Sequence, residues 1–416
     1  MNNNNLKILF LCLTFILGGM FAYADESLKS ISGIAKDRST KKKLENVSIS
    51  IPGTNIATVT NEDGKFLIKL PDNIEMPSLK ADLIGYSTSY LSAEEIAKSD
   101  KEITIMLSPL SNTLKEVTVY GGQPRPLIEN AMEKIPQNYS DSSSLFTAFY
   151  RETIQKGKRF IGISEAMTKI YKKSYKTRTI DSDRVKVIKG RKLLSQKSSD
   201  TLAVKILGGP TLPVILDVVK NENALFNKNE LDYYDFKMGK IAFVDDRPQY
   251  VIEFSPKKVI LPYPLSKGTV MIDCESLAFT RADFEMDMSD KNKATSSILR
   301  KKPAGLKFKP QEASYIVTYK LQDGKSYLNY ISSKTRFKCD WKRRLFSSGY
   351  TARAEMVMVD RQDNSNEKIS RKEAVKRNYI LDDTVESFND PDFWKDYNII
   401  EPTESLDKAV YKLKKQ

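Results

Sequence analysis

Asp273 and Glu275, separated only by Cys274 at a hairpin tip predicted from the sequence, are the local acid pair with the best claim to chemistry. Two carboxylates facing each other across a cleft can share acid and base work in glycoside hydrolysis, provided that a defined separation holds them on either side of the bond. The plainer reading gives the same residues to the turn itself, where an aspartate fixes its own backbone. Ser255 and Lys258 have Ser-x-x-Lys spacing, but Pro256 between them marks a loop end rather than the helix that would aim both side chains together. Gly208-Gly209-Pro210 follows the strand-like stretch LAVKIL without the Lys-Ser/Thr ending of a phosphate-binding loop, and reads as a tight turn. The sharpest constraint is an absence. The chain contains 0 His, so Ser-His-Asp and Cys-His catalysis, HExxH zinc sites and the usual zinc-peptidase ligand sets are impossible. No catalytic, cofactor-binding or metal-binding residue is assigned, and no cofactor is expected.

The amino terminus reads as an address. Lys7 precedes an apolar run from Ile8 to Phe21 and the small-x-small triplet Ala22-Tyr23-Ala24, so residues 1–24 are predicted to be a signal peptide cleaved before Asp25. The run falls short of the roughly 20 apolar residues of a membrane-spanning helix, and no later stretch reaches that length. The mature chain is therefore expected to be soluble, in the periplasm or associated with the outer membrane. Cys12 lies inside the run without the small residues that precede a lipidated cysteine. Cys274 and Cys339 remain, and spacing leaves one disulfide or two unpaired thiols equally open.

At 416 residues, with 40% hydrophobic and 29% charged residues, the chain has the profile of a globular protein of two or three domains. Lys and Arg outnumber Asp and Glu by 67 to 53, a formal charge of +14 that becomes +13 once Lys7 leaves with the signal. An anionic partner fits this excess. The charge is spread along the chain rather than gathered in one arm or helix face, which disfavours nucleic acid.

Residues 25–122 read as short strands. Val47, Ile49 and Ile51 alternate with serines, and Phe66, Ile68 and Leu70, then Leu79, Ala81 and Leu83, then Ile103, Ile105 and Leu107 repeat the period of two. Asn61-Glu62-Asp63-Gly64 predicts a type I turn closing a hairpin, with the glycine at positive φ. Ser92 with Glu95 is a capping-box spacing and predicts a short helix over residues 93–98. The pattern implies an antiparallel sandwich. Gly33 in ISGIAKD, the stretch LENVSISIPGTNIATVTNEDGKFLIKLP, Gly85-Tyr86 and LKEVTV at residues 114–119 together resemble the carboxypeptidase regulatory-like domain, a transthyretin-like β-sandwich. That resemblance implies no peptidase, because such modules hold none of the zinc ligands.

Gly121 to Pro126 reads as a linker. After it Leu127, Ile128, Ala131, Met132 and Ile135 share one helical face, ended by Pro136. Residues 123–385 then read as a larger antiparallel β domain. Tyr250, Ile252 and Phe254 follow a reversal at residues 245–248, and Tyr315, Val317, Tyr319 and Leu321 precede Gln322-Asp323-Gly324-Lys325. Long aromatic-rich strands predict a strongly curved sheet with an apolar inner face. The aromatics read as core residues, and a groove would remain only where no helix covers the sheet. The basic stretch at residues 291–310 reads as an exposed loop, and residues 386–416 as a tail whose Leu406, Ala409, Val410 and Leu413 form an amphipathic helix docked on the sheet.

FTAFYRETIQ, EAMTKIYKKSY, KILGGP, GTVMIDCESLAFTRADFEM, WKRRLFSSGY and DFWKDYNIIEP resemble secreted Gram-negative proteins in which a regulatory-like module precedes a domain of unassigned function. The GTVMID hairpin also resembles the half-barrel of periplasmic lipoprotein carriers. The chain is thus expected to be mainly β: the sandwich, then the curved antiparallel domain with a few amphipathic helices. Two functions follow. The first is a non-enzymatic binding or assembly protein of the cell envelope, engaging an envelope protein, anionic lipid or lipoprotein. The second is a carboxylate-dependent glycan-active enzyme. The first demands an apolar concavity near Lys and Arg, the second a polar cleft with two facing carboxylates. With 20 Tyr and 18 Phe mostly in strand-alternating positions and 2 Trp to stack on sugars, the composition favours the first.

Overall fold

The computed structural model describes residues 29–71, 74, 76–99, 102–110, 123–341, 347–376, 380–381, 385–387, 393–394 and 397–415. The predicted signal peptide with Cys12, the LKEVTV stretch and Gly121-Gly122 lie outside the described residues.

The first domain contains β1 (Ser30–Asp37), β2 (Ser48–Ser50), β3 (Ala57–Val59), β4 (Lys65–Lys69), β5 (Leu79–Asp82), β6 (Ser89–Leu91), α1 (Ala93–Ala97) and β7 (Ile103–Leu107). They form two layers, ordered β4-β1-β7 and β3-β2-β5-β6. The alternating apolar residues do what their period requires: Ile49, Phe66, Ile68, Leu79, Ala81 and Ile105 meet in one core. Ser92 accepts the Glu95 N–H at 3.3 Å while Glu95 accepts the Ser92 N–H at 2.8 Å, completing the capping box.

Two expectations need correction. β1 and β7 pair in parallel, so the sandwich is mixed rather than wholly antiparallel. The Asn61–Gly64 turn forms, with Gly64 at φ +71, yet β3 pairs with β2 and β4 with β1. The turn therefore carries the chain from one layer to the other instead of closing a hairpin. Within the layer β4-β1-β7, Gly33 leaves room for its own register partners: a Cβ there would lie 2.6 Å from both Ile103 of β7 and Phe66 of β4.

The second domain begins with α2 (Pro124–Glu133) and α3 (Ile135–Asn138). Ile128, Ala131, Met132 and Ile135 are buried, as their spacing predicts. Proline is tolerated in a first helical turn, where its missing N–H has no partner to lose. Pro124 accordingly opens α2 rather than serving as linker, and Pro136 lies in the first turn of α3 rather than ending a helix.

There follow β8 (Ser144–Lys156), β9 (Arg159–Lys172), β10 (Arg184–Leu194), β11 (Lys205–Ile206), α4 (Leu212–Leu216), β12 (Tyr234–Met238), β13 (Ala242–Val244), β14 (Arg247–Pro256), β15 (Ser266–Asp273) and β16 (Phe279–Met286). The remainder comprises α5 (Lys291–Ile298), β17 (Leu299–Lys301), β18 (Leu306–Gln322), β19 (Lys325–Trp341), β20 (Ser348–Asp363), β21 (Glu386–Ser387) and α6 (Glu404–Lys414). The main sheet runs β12-β14-β15-β16-β18-β19-β20-β8-β9-β10-β21, with β13 on β14. Its tight turns follow local chemistry, with Asp245 and Asp246 both at φ +56, and Asp323 and Gly324 at φ +50 and +76.

Residues 291–310 are not an exposed loop. Asp290 caps α5, Ala294 and Ile298 bury at i,i+4 spacing, and β18 already begins at Leu306. The inner face of the sheet is largely covered. α2, α3, α5 and the segment 204–234, which carries β11 and α4, pack onto it around Phe146, Tyr150, Ile252, Val270, Val317 and Met356. On the outer face Phe149, Met167, Tyr330 and Val357 pack with Val59 of the first domain and with Trp394, Ile399 and Ile400. The first domain and the chain near residue 400 are stitched together there: Thr58 donates to the Ile399 carbonyl at 3.1 Å and the Lys69 N–H to Asn398 at 2.6 Å. α6 docks as its apolar face predicts, burying Leu406 and Leu413 beside Ile163.

Candidate functional site

The inner face leaves space across β8, β9, β19 and β20, in the stretch of β20 whose Arg353 pairs with Glu45 and Glu62 of the first domain. Its floor is made of small inward residues, Ala352 and Ala354 of β20 and Ser333 and Thr335 of β19, beside Ile154 of β8 and Gly162 of β9. A Cβ at Gly162 would come 3.2 Å from Leu194, so the glycine lets β10 close that wall. The opposite side is the segment around β11, contributing Leu202, Val204, Ile206, Leu207 and Leu212. Between them lies a cavity of about 290 Å³, close to the lower bound of the roughly 300–1,000 Å³ usual for small-molecule pockets.

Three connections hold the apolar wall in place. β11 pairs with β17, and the Leu207 N–H donates to the Ile298 carbonyl at 2.8 Å. Gly208-Gly209-Pro210 is the predicted turn, with Gly209 at φ +80, and it sits against Glu152. The Glu152 carboxylate accepts the Gly209 N–H at 3.2 Å and the Tyr150 hydroxyl at 2.7 Å. At the other margin Asp200 accepts Arg159 Nη2 at 2.5 Å and Ser195 Oγ at 2.7 Å. The Arg159 guanidinium, foremost, holds its carboxyl well below the usual carboxylate range. The cavity thus combines an aliphatic interior with a few anchored polar groups at its margin, the pattern that orients a largely apolar ligand.

Deeper in the same face, Asp217 pins segment 204–234 to the sheet. It forms an ion pair with Lys172 at 2.7 Å and accepts the Tyr175 hydroxyl at 2.8 Å and the Tyr319 hydroxyl at 2.7 Å. Burial works against ionisation of Asp217, but Lys172 and the two hydroxyls outweigh it and keep the carboxyl below its ordinary value. Burial likewise opposes the charge on Lys172, and Asp217 with Asp183 reverses the balance, raising its pKa. All of these side chains are buried among core residues, so the network fixes structure rather than presenting a reactive group.

Asp273 and Glu275 do come together, but on one arginine. Arg247 binds Asp273 through two bonds of 2.8 Å and Glu275 at 2.9 Å, while Asp273 also accepts the Ser276 N–H and hydroxyl, each at 2.8 Å. Burial disfavours the Asp273 anion, yet Arg247 and Ser276 prevail and hold its pKa at about 2. The turn consumes this carboxylate. Ser255, next to last in β14, is exposed at an open hollow it shares with Phe236, Lys267 and Glu285, whereas Lys258 lies exposed in the loop beyond and does not line that hollow. Cys274 and Cys339 are both free. Among the described residues, no group of three or more Cys, Asp or Glu is arranged to hold a metal ion. No helix of the described residues is long and apolar enough to cross a membrane.

Sequence reasoning assigned none of the residues that line this space to a binding site. The missed signal is the run of small residues at inward positions, Ser333, Thr335, Ala352 and Ala354, in strands whose other inward residues are large.

Residues 31–119 match the family described as CarboxypepD_reg-like domain, so the chain carries such a domain. No curated protein matches the chain. Among solved structures, the chain is similar to a putative outer membrane lipoprotein-sorting protein domain from Vibrio parahaemolyticus, at 11% identity over 59% of this chain and 94% of that one, with a TM-score of 0.26. A DUF1329 family protein from Desulfovibrio piger is 12% identical over 59% of this chain and 96% of its own, with a TM-score of 0.25. A LolA superfamily protein from Nitrosomonas europaea is 10% identical over 60% and 97%, with a TM-score of 0.18.

Proposed function

We propose that this chain is a non-enzymatic binding protein of the cell envelope, exported by residues 1–24, whose second domain holds an acyl chain or a similar apolar segment between the sheet and the segment around β11. The observation that carries the reading is the cavity of about 290 Å³ with Ala352, Ala354 and Ile154 on one side and Leu202, Ile206 and Leu212 on the other. Burying an acyl chain contributes about 0.8 kcal/mol per methylene, so even part of one chain supplies useful affinity. The carboxylate of Glu152 is held against the wall segment by Gly209 and Tyr150, and that of Asp200 by Arg159 and Ser195. Asp273 and Glu275, the local pair that the sequence offered for glycan chemistry, are absorbed by Arg247 and the turn at Ser276.

The test is equilibrium binding of a fluorescent fatty acid to residues 25–416 at low and high salt. Saturable binding that persists at high salt is expected, because an apolar contact is not screened. Ala354→Trp should fill the floor of the cavity and weaken binding at least about tenfold, or roughly 1.4 kcal/mol. Absence of saturable binding, or full binding by a folded Ala354→Trp variant, would sink the reading.

A further inference from the structure

The loop between β14 and β15 presents apolar side chains that the described chain leaves in solvent. It reads KKVILPYPL over residues 257–265. Ile260 is 98% exposed at its apex, with Val259 and Tyr263 exposed beside it. A single apolar residue at a surface is ordinary, whereas several on one loop apex form a patch that marks an interaction site.

The patch is held outward rather than left loose. Leu265 is buried and Leu261 packs against the core, anchoring the loop on both sides of its prolines. Pro262 and Pro264 fix φ at two positions, and the Tyr263 hydroxyl donates to Glu230. The Lys257 N–H and ammonium donate to the carbonyls of Tyr233 and Asp232 at 2.7 and 3.1 Å. A loop ordered in advance loses little freedom when it docks.

The cations at the same end of the sheet stand partly among acids, with Lys257 3.9 Å from Asp235 and Lys293 3.5 Å from Asp290, while Lys258, Lys291, Arg300 and Lys301 are exposed. Lys257 and Lys258 precede the apex and are exposed. The Asp287 N–H donates to the Leu265 carbonyl at 2.8 Å, so the chain passes directly from the loop's base into α5 with Lys291 and Lys293. Beyond α5, Arg300 and Lys301 are exposed. An apolar apex backed by lysines and arginines is complementary to a layer that is anionic at its surface and hydrocarbon beneath.

We propose that this end of the second domain docks on an anionic lipid surface, with Val259 and Ile260 entering the acyl boundary and the lysines lying at headgroup level. The site is distinct from the cavity, although β17, which follows α5, pairs with β11 of the cavity wall. A soluble fatty acid can occupy the cavity without any vesicle, so the two readings fail separately.

The experiment is co-sedimentation of residues 25–416 with phosphatidylglycerol-containing vesicles and with pure phosphatidylcholine vesicles. Preferential binding to the anionic vesicles is expected, weakening with salt. Ile260→Asp should lower that binding at least about tenfold while leaving the unfolding midpoint unchanged, since the side chain it replaces makes no core contact. The pair Lys257→Glu and Lys258→Glu should remove the preference for anionic vesicles. In the Ile260→Trp variant, fluorescence from the loop should shift to the blue on adding anionic vesicles. Equal binding of the parent to both vesicle types, absence of vesicle binding, or undiminished binding by Ile260→Asp would each overturn the proposal.

Discussion

Glu165 accepts the indole N–H of Trp394 at 2.8 Å, across 229 residues of chain. The same carboxylate lies between its two register partners, Arg151 of β8 and Arg191 of β10, at 2.7 and 2.9 Å. Arg151 also donates to the Ile400 carbonyl at 2.9 Å. One buried acid on the outer face therefore joins three adjacent strands to the chain that returns over them.

Removing this acid should be costly, because it leaves buried guanidinium groups without their countercharge. Glu165→Gln is expected to destabilise the protein by about 3–5 kcal/mol, read as a lower urea midpoint. Trp394→Phe keeps most of the packing and loses one hydrogen bond to a charged group, so about 1.5–3 kcal/mol is expected. The pH dependence has a definite sign. Burial opposes ionisation of Glu165, but the two arginines and the indole outweigh it and lower its pKa. Its contribution is present above the ordinary glutamate range and should be lost as pH falls below it.

Asp82 should act in the opposite direction at the junction between domains. It accepts the Asp245 N–H at 2.8 Å, and Lys80 pairs with Asp245 beside it. Burial, chiefly, pushes the Asp82 pKa up to about 6. A raised pKa means stability that is full below the ordinary value near 3.8 and is lost as pH rises through about 6. The parent should therefore lose on the order of 2–3 kcal/mol relative to Asp82→Asn between pH 4 and pH 7. Unfolding both proteins across that range checks it, and parallel curves would contradict the assignment.

The two cysteines should behave as protected thiols. Cys274 lies in the turn after β15, where β14 begins, whereas Cys339 pairs with Phe308 and Ser348 near the opposite end of the sheet. Burial, foremost, pushes both pKa values up to about 11. Reactivity follows the thiolate, so alkylation of the folded protein at pH 8 should be slow. Both thiols should react promptly once the chain is unfolded in denaturant without reductant. A chain that gains reactive thiols only after reduction would show a disulfide instead.

Much of the fold was legible because its causes are local. Strand periodicity at Ile49, Phe66 and Ile105 placed one face inside, aspartate and glycine at 323 and 324 allowed the left-handed turn, and Ser92 with Glu95 capped a helix. The stretch from Lys291 failed for a related reason: its charges and proline obscured the i,i+4 pair Ala294 and Ile298, which becomes a buried face only once β18 lies beneath it.

By itself the sequence determined that histidine chemistry is impossible, that the chain is mainly β, and that the inner residues of its long strands are apolar. Tertiary structure decided which layer β3 and β4 would join, what would cover the curved sheet, and where space would remain. That division has a physical cause. Backbone turns and alternating faces depend on residues a few positions apart, whereas the cavity is the gap between Ala352, Ala354 and Ile154 on the sheet and Leu202 and Ile206 on a distant segment. No stretch of chain encodes such a gap alone, because its volume is set by how far apart the packed segments stop.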